Sequence, residues 1–364
     1  MNFNFKPIPR NLRNKRVFLR VDFNVVKNGK VAGDFRIFRT LPTIKKLAKA
    51  GSRVIIASHA ESGEVRPSLR PLFSFLKKKL KGLLFSPKIA GKAVIKRIEL
   101  MRPGQVLLLE NLRFDPREKQ NSPALAKEFS LFCDIYINEA FGASHRRHTS
   151  VVAITEYAPS YAGPLMKEEI KKLSQVFKPQ RPFLFILGGN KIETKAPVLN
   201  KFLAKADKVV IGGAFVAPLL AGRDHKTRQK LVQVKKIAPL YDLVIMRGSK
   251  KKTIRMEEIK EKDIIYDLGP KSIEGLMPLI KKSKMILWNG PVGYIEGGFE
   301  NGTKKIARAL TASKAKTIVG GGDTVAYLRK LKLLKKFSFV STGGGAMLDF
   351  LVNETLPGIE ALEK

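Results

Sequence analysis

Two glycine tracts, Val319-Gly320-Gly321-Gly322-Asp323-Thr324 and Ser341-Thr342-Gly343-Gly344-Gly345, each follow an apolar run of strand length and precede residues with helical spacing. Such a tract suits a phosphate. Without a Cβ the backbone can approach an anion closely, and a helix starting there aims free N–H groups and the positive end of its dipole at it. Taken singly, either tract also reads as a tight strand-to-helix turn. Trp288-Asn289-Gly290-Pro291 and Gly188-Gly189-Asn190-Lys191 also fall at predicted strand ends, however. Four such places predict loops lining the crevice at the carboxyl ends of one parallel sheet. No G-x-x-x-x-G-K-[ST] and no G-x-G-x-x-G follows the early strands, which argues against a P-loop or a dinucleotide fingerprint.

The first half of the chain carries a different set: Arg20, Asp22 and Asn24 at one strand end, Arg36, His59 at another strand end, Arg113 in Glu110-Asn111-Leu112-Arg113-Phe114, and Arg146. Guanidinium forks hold phosphate and carboxylate bidentately. A surface ion pair is the ordinary role of any one arginine, but arginines at successive strand ends predict an anion site.

These residues need a frame. Strand-length apolar runs recur at 17–23, 54–57, 106–109 and 135–137, and again at 183–187, 209–211, 243–246, 264–266, 285–288, 317–319 and 337–340. Helical patterns at 41–50, 69–80, 198–206, 273–281 and 305–310 lie between them. The alternation predicts an α/β protein with parallel sheets covered on both faces. Met166 to Leu173 reads as a helix that ends before Lys178-Pro179-Gln180-Arg181-Pro182, a natural joint between two halves.

At 364 residues the chain suits two domains of ordinary size. It has no apolar run long enough to span a bilayer, and Met1 to Lys6 lacks the apolar core of a secretory signal, so a soluble, cytoplasmic protein is expected. Its single cysteine, Cys133, excludes an internal disulfide and reads as a small buried hydrophobe. The net charge of +38 draws any polyanion nonspecifically. The lysines are nevertheless dispersed, as in Leu76 to Lys81 and Lys330 to Lys332, and read as solvated helix faces. Arg247 to Arg255 stands out as a basic patch without periodicity.

Taken together, the blocks resemble the phosphoglycerate kinase family along nearly the whole chain. They are Arg20-Val21-Asp22-Phe23-Asn24-Val25, Arg36 with Leu41-Pro42-Thr43-Ile44, Leu109 to Phe114, Asn138-Glu139-Ala140-Phe141-Gly142 through His145-Arg146, and Gly188 to Lys191 with Lys195. Asp267-Leu268-Gly269-Pro270-Lys271, Trp288 to Pro291 and the two glycine tracts complete the series. The resemblance implies two Rossmann-like domains, each a parallel sheet flanked by helices, joined by an interdomain helix. It divides the chain into a 3-phosphoglycerate domain (1–165), a hinge helix (166–180), a nucleotide domain (181–350) and a segment returning to the first domain (351–364).

By the same resemblance, Arg20, Asp22, Asn24, Arg36, His59, Arg113 and Arg146 hold 3-phosphoglycerate or its 1,3-bisphosphate. Lys191, Lys195, Gly212, Gly213, Asn289, Glu296, Gly320, Gly321, Gly322, Asp323 and Thr324 hold ATP or ADP, with Mg2+ on Asp323. Arg36, Lys195, Gly321 and Gly344 are the implied catalytic set. The nucleophile is a carboxylate already ionised at neutral pH, so no general base is needed and catalysis reduces to alignment and charge neutralisation. A monomer with lobes that close to expel water is implied.

The chain departs from the family in four places. After Ser58-His59 it runs Ala60-Glu61-Ser62-Gly63-Glu64-Val65-Arg66-Pro67 where the family has Leu-Gly-Arg-Pro, so an arginine contact is either lost or supplied by Arg66. Glu139 and Asn190 stand where the family has Asp and Ala, and the triplet below the adenine is Gly212-Gly213-Ala214. The segment between Leu220 and Ile264 is short for the family. Two alternatives stay open: a kinase of the same fold acting on another carboxylate, and a former kinase that now binds a polyanion through its charge.

Overall fold

In a parallel sheet covered on both faces, strands lose the alternation of apolar and polar residues and become apolar throughout. Arg16-Val17-Phe18-Leu19-Arg20, Val106-Leu107-Leu108-Leu109 and Phe183-Leu184-Phe185-Ile186-Leu187 are of this kind, and nearly every residue in them is buried. The computed structural model describes residues 3–61, 63–190, 192–213, 216, 235–260 and 263–363. They divide into unit 1 (Met1–Lys171 with Asn353–Lys364) and unit 2 (Lys172–Val352).

In unit 1, β1 (Arg16–Arg20), β4 (Arg53–Ala57), β5 (Leu84–Ser86), β6 (Val106–Leu109), β7 (Ile135–Asn138) and β8 (Ser160–Ala162) form a parallel sheet in the order β5-β6-β4-β1-β7-β8. A hairpin of β2 (Val26–Lys27) and β3 (Lys30–Val31) stands apart from it. Helices α1 (Phe35–Lys49), α2 (Arg70–Lys77), α3 (Lys92–Glu99), α4 (Pro123–Ser130) and α5 (Pro164–Leu173) make the connections. Helix α1 shows why the sequence folds this way. Ile37, Leu41, Ile44 and Leu47 recur at helical spacing and are buried with Val17 and Leu19, while Lys45, Lys46 and Lys49 face water. Below the sheet, Phe18 packs against Phe129, Phe132 and Tyr136 with ring centroids 5.1–6.1 Å apart.

In unit 2, β9 (Phe183–Leu187), β10 (Lys208–Ile211), β14 (Met285–Asn289), β15 (Lys316–Gly320) and β16 (Phe339–Val340) form a second parallel sheet in the order β10-β9-β14-β15-β16. Its helices are α6 (Ile192–Lys205), α7 (Pro270–Lys282), α8 (Asn301–Ala312), α9 (Gly322–Lys330) and α10 (Gly345–Asn353). The runs at 243–246 and 264–266, predicted as strands of that sheet, pair elsewhere. They become β11 (Asp242–Arg247) and β13 (Ile265–Leu268) of a separate antiparallel sheet. The third strand, β12 (Lys250–Arg255), is the basic patch itself. Short apolar runs carry no sign of parallel or antiparallel partners, and lysines on an edge strand are a common guard against edge-to-edge pairing.

Residues 353–364 fold back onto unit 1 through α11 (Pro357–Glu360). There Gly358 N–H donates to Ser144 O at 2.8 Å, and a Cβ on Gly358 would lie 2.7–2.8 Å from Val151 and Ser144. No described helix is long and apolar enough to cross a membrane.

Candidate active site

In unit 1 the strand register brings the predicted anion residues to one edge. Arg20 ends β1 and lies level with Ala57 of β4 and Asn138 of β7, so His59, Arg113 and the loop carrying Arg146 all follow from the same carboxyl side. The chain passes from β1 to β4 on one side and to β7 on the other, which makes this edge the switch point where α/β sheets bind ligands.

Arg20 is fully buried and committed inside the protein. It donates to Ser150 Oγ (2.6 Å), Val21 O (2.6 Å) and His59 Nδ1 (3.2 Å), and lies 3.9 Å from Glu118 Oε1. Because a guanidinium can only donate, His59 Nδ1 must accept, which leaves the neutral ring with its proton on Nε2. Burial first, then Arg20, Arg113 and Arg146, hold the His59 pKa well below the ordinary imidazole value. His59 is therefore held as the neutral imidazole.

Arg36, in the first turn of α1, pairs with Asp22 at 3.1 Å, and Asn24 Oδ1 accepts the Glu61 N–H at 2.9 Å. Arg113 is buried, and its Nη1 pairs with Glu61. Among the described residues its Nε and Nη2, also buried, have no hydrogen-bond partner. Burial, reinforced by Arg146 and Arg20, lowers its pKa to about 10. Arg66 donates to Arg113 O at 3.2 Å. It thus braces the backbone of Arg113, a use of the altered loop that the sequence left undecided.

Glu139 follows from its neighbours in the same way. It is buried, it accepts from Thr43 Oγ1, and it takes the Leu165 N–H (2.9 Å) and Met166 N–H (3.3 Å) in the first turn of α5. Burial pushes its pKa up, and these bonds work against that rise. Sequence reading passed over Glu118, which is buried beside Arg20 and bonded to Ser150 Oγ at 2.6 Å, and it passed over Lys119, which pairs with Glu61. Neither sits in a glycine or arginine block, so nothing local marks them.

In unit 2 the switch point lies between β9 and β14. Leu187, Asn289 and Gly320 are level across the sheet, so the predicted loops start together. Gly188 N–H donates to Asn289 O (2.9 Å), Gly189 N–H to Pro291 O (2.7 Å) and Gly213 N–H to Val292 O (2.7 Å). Lys195, on α6, lies nearly buried among these loops, with its Nζ 2.5 Å from Gly188 O. A Cβ on Gly189 or Gly290 would come within 2.5–2.6 Å of that ammonium, so the glycines are what admit it. Gly212 is equally tight, its missing Cβ 2.6 Å from Val292.

Both glycine tracts open helices as expected. Gly321 (φ +97) caps α9 and Gly344 (φ +56) precedes α10, each in backbone that favours glycine. Gly320, at the end of β15, has Met347 against its Cα, and Gly322 opens the first turn of α9. Asp323 in that turn is exposed. Thr324 is buried, and its Oγ1 accepts the Gly290 N–H at 3.0 Å. Asn289 lies buried under Gly321. A cleft of about 220 Å³ is lined by Gly189, Gly213, Asp323 and Glu296, with Tyr266 and Tyr294 as an aromatic side that the sequence reading did not include. Lys191 and Ala214 lie outside the described residues.

The arrangement can hold an oxyanion on arginines at one sheet edge and a phosphate chain among glycine loops, a cation and a helix N-terminus at another. That is the equipment of a phosphotransferase built from two α/β units. The family profile described as "Phosphoglycerate kinase" matches residues 9–354. The phosphoglycerate kinase of Leptospira biflexa is 38% identical and that of Fervidobacterium nodosum 40%, with 96–97% of each chain covered. Among solved structures, phosphoglycerate kinase from Pyrococcus horikoshii superposes with a TM-score of 0.85 at 30% identity, covering 97% of this chain and 96% of that one. The Coxiella burnetii structure gives 0.80 at 34%, covering 97% of both chains. The chain belongs to the phosphoglycerate kinase family.

Proposed function

We propose that the chain interconverts 1,3-bisphosphoglycerate and MgADP with 3-phosphoglycerate and MgATP, in glycolysis or its reversal, as a cytoplasmic monomer. Unit 1 takes the glycerate through Asp22, Asn24, Arg36, His59, Arg113 and Arg146, with Arg20 adding charge from beneath. Unit 2 takes the nucleotide in the cleft beside Gly213, Glu296 and Asp323, with Lys191 assigned to its phosphates. The observation that carries the reading is Lys195 Nζ, enclosed by Gly188, Gly189 and Gly290 at the switch point of unit 2. A caged cation beside bare backbone can neutralise charge on a phosphoryl group in transit.

The accepting carboxylate needs no base, which fits a neutral His59. Arg36, Lys195 and the N–H groups around Gly321 and Gly344 serve to stabilise the transferring group. Magnesium requires only one or two protein carboxylates when phosphates supply its other ligands. Asp323 fits that need, and among the described residues no cluster of three or more His, Cys, Asp or Glu forms a site independent of a nucleotide. Bound there, the ion supplies charge neutralisation across the phosphate oxygens. Direct transfer requires the two ligands to meet, so motion about residues 166–180 is part of the proposal.

The test is a coupled assay with 3-phosphoglycerate, ATP and magnesium, with Lys195→Ala as its control. The expected result is turnover that the variant loses by a factor on the order of 10² to 10³. Full activity in Lys195→Ala overturns the role of Lys195, and no turnover in folded wild-type protein overturns the substrate assignment.

A further inference from the structure

The loop after β4 places a carboxylate in the anion site. Glu61 Oε2 pairs with Arg113 and lies 3.6 Å from Arg146, while Oε1 pairs with Lys119. Its backbone is fixed as well, since Glu61 N–H donates to Asn24 Oδ1 at 2.9 Å and Asn24 is itself one of the predicted glycerate residues. One acidic side chain, mostly shielded from solvent, thus engages two of the arginines assigned to the substrate and a neighbouring lysine.

We infer that Glu61 is an internal competitor for the anionic end of the glycerate substrate, which must displace its carboxylate from Arg113, Arg146 and Lys119 in order to bind. The inference rests on the proposed assignment of that cluster to the glycerate. Arg113 shows the site to be only partly filled. One of its terminal nitrogens is paired with Glu61, while Nε and Nη2 are buried without a hydrogen-bond partner among the described residues, so donors remain for an incoming oxyanion. A buried guanidinium with no counter-charge is costly, and Glu61 supplies that charge while the site is empty. The same contact therefore stabilises the free protein and opposes the ligand. Glu61 sets affinity for the acid and leaves nucleotide affinity alone.

The experiment is calorimetric titration of the full chain with 3-phosphoglycerate, together with steady-state KM values for both substrates and thermal melts. Wild type is compared with Glu61→Gln, Glu61→Gly and Arg113→Gln. Glutamine keeps the shape and the Asn24 contact while removing the charge. Charge-assisted hydrogen bonds of this kind support an expected tightening of 3-phosphoglycerate binding by a factor on the order of ten in Glu61→Gln. The KM for MgATP should stay unchanged. The free variant should melt below wild type and recover more on adding 3-phosphoglycerate, a combination that a purely structural role for Glu61 does not give.

Unchanged or weaker 3-phosphoglycerate binding in both Glu61 variants, with Arg113→Gln still impaired, overturns the competitor role and leaves the site assignment standing. Unimpaired binding in folded Arg113→Gln overturns the assignment itself, and the inference with it.

Discussion

Gly189→Ala isolates the position of one ammonium group. A methyl built on Gly189 lies 2.5 Å from Lys195 Nζ, whereas the next atoms it meets, Lys195 Cε and Gly290 Cα, are at 3.8 and 3.9 Å, ordinary contact distances. The backbone can therefore stay in place while the ammonium must leave Gly188 O. The residue has φ +91, a conformation that costs an alanine about 1–2 kcal/mol. Losing a charge-assisted hydrogen bond adds about 1.5–3 kcal/mol. Stability should fall by about 2–4 kcal/mol once the freed ammonium finds partial solvation, within the range a domain of ordinary stability survives. Turnover should fall by a factor on the order of 10² to 10³, because the displaced charge no longer meets the transferring group. Gly91→Ala is the control for an alanine at positive φ, since Gly91 also has φ +91, with ψ 175, but has nothing within 4 Å of the added methyl. Denaturant unfolding and the coupled assay are run on both variants. If folded Gly189→Ala turns over as fast as Gly91→Ala, the enclosed position of Lys195 is irrelevant to catalysis and the argument from the glycine cage fails.

Two further outcomes follow from buried charge. Arg20→Met leaves Glu118 buried beside the site without its guanidinium, and breaking a buried pair in this way typically costs about 3–5 kcal/mol; urea titration should show that loss, and a variant as stable as wild type refutes the pairing. His148 is held neutral by burial and by Arg113, Arg20, Arg146 and Lys119, with its pKa down at about 3. The unfolded chain takes up a proton below the ordinary value near 6.5 and the folded chain does not, so stability is full above that pH and lost as pH falls, at about 1.4 kcal/mol per unit. Between pH 7.5 and 5.5 the wild type should lose about 1.4 kcal/mol more than His148→Asn; parallel pH profiles refute the neutral histidine.

Strand ends and glycine loops were legible in the sequence because both are local: an apolar run that stops at Gly188, Asn289 or Gly320 announces the edge of a parallel sheet. The same locality explains the failures. Leu243 to Met246 looks like any buried strand, and only the three-dimensional partner decides that it belongs to the antiparallel sheet. The basic run at Lys250 to Arg255 concealed a strand because its outward residues are solvated lysines. Arg113 and Arg146 could be named from their blocks. Their counter-charge could not, since Glu61 reaches them from another loop and appeared in the sequence only as a change from glycine. Arg66, which the sequence left open as one possible replacement for a lost arginine contact, braces the Arg113 carbonyl, a role that backbone geometry alone decides.

The return of residues 353–364 to unit 1 has a consequence for the order of synthesis. Unit 1 is translated first, yet the segment that packs on Ser144 and Val151 is made only after all of unit 2. At roughly 5–20 residues per second, that interval lasts on the order of 10–40 s, long compared with the folding of an ordinary domain. For that interval the nascent chain therefore carries a first unit still lacking its last layer, next to the loop of His145 and Arg146. The loop that carries Arg146, part of the proposed glycerate site, thus gains this packing only at the very end of synthesis.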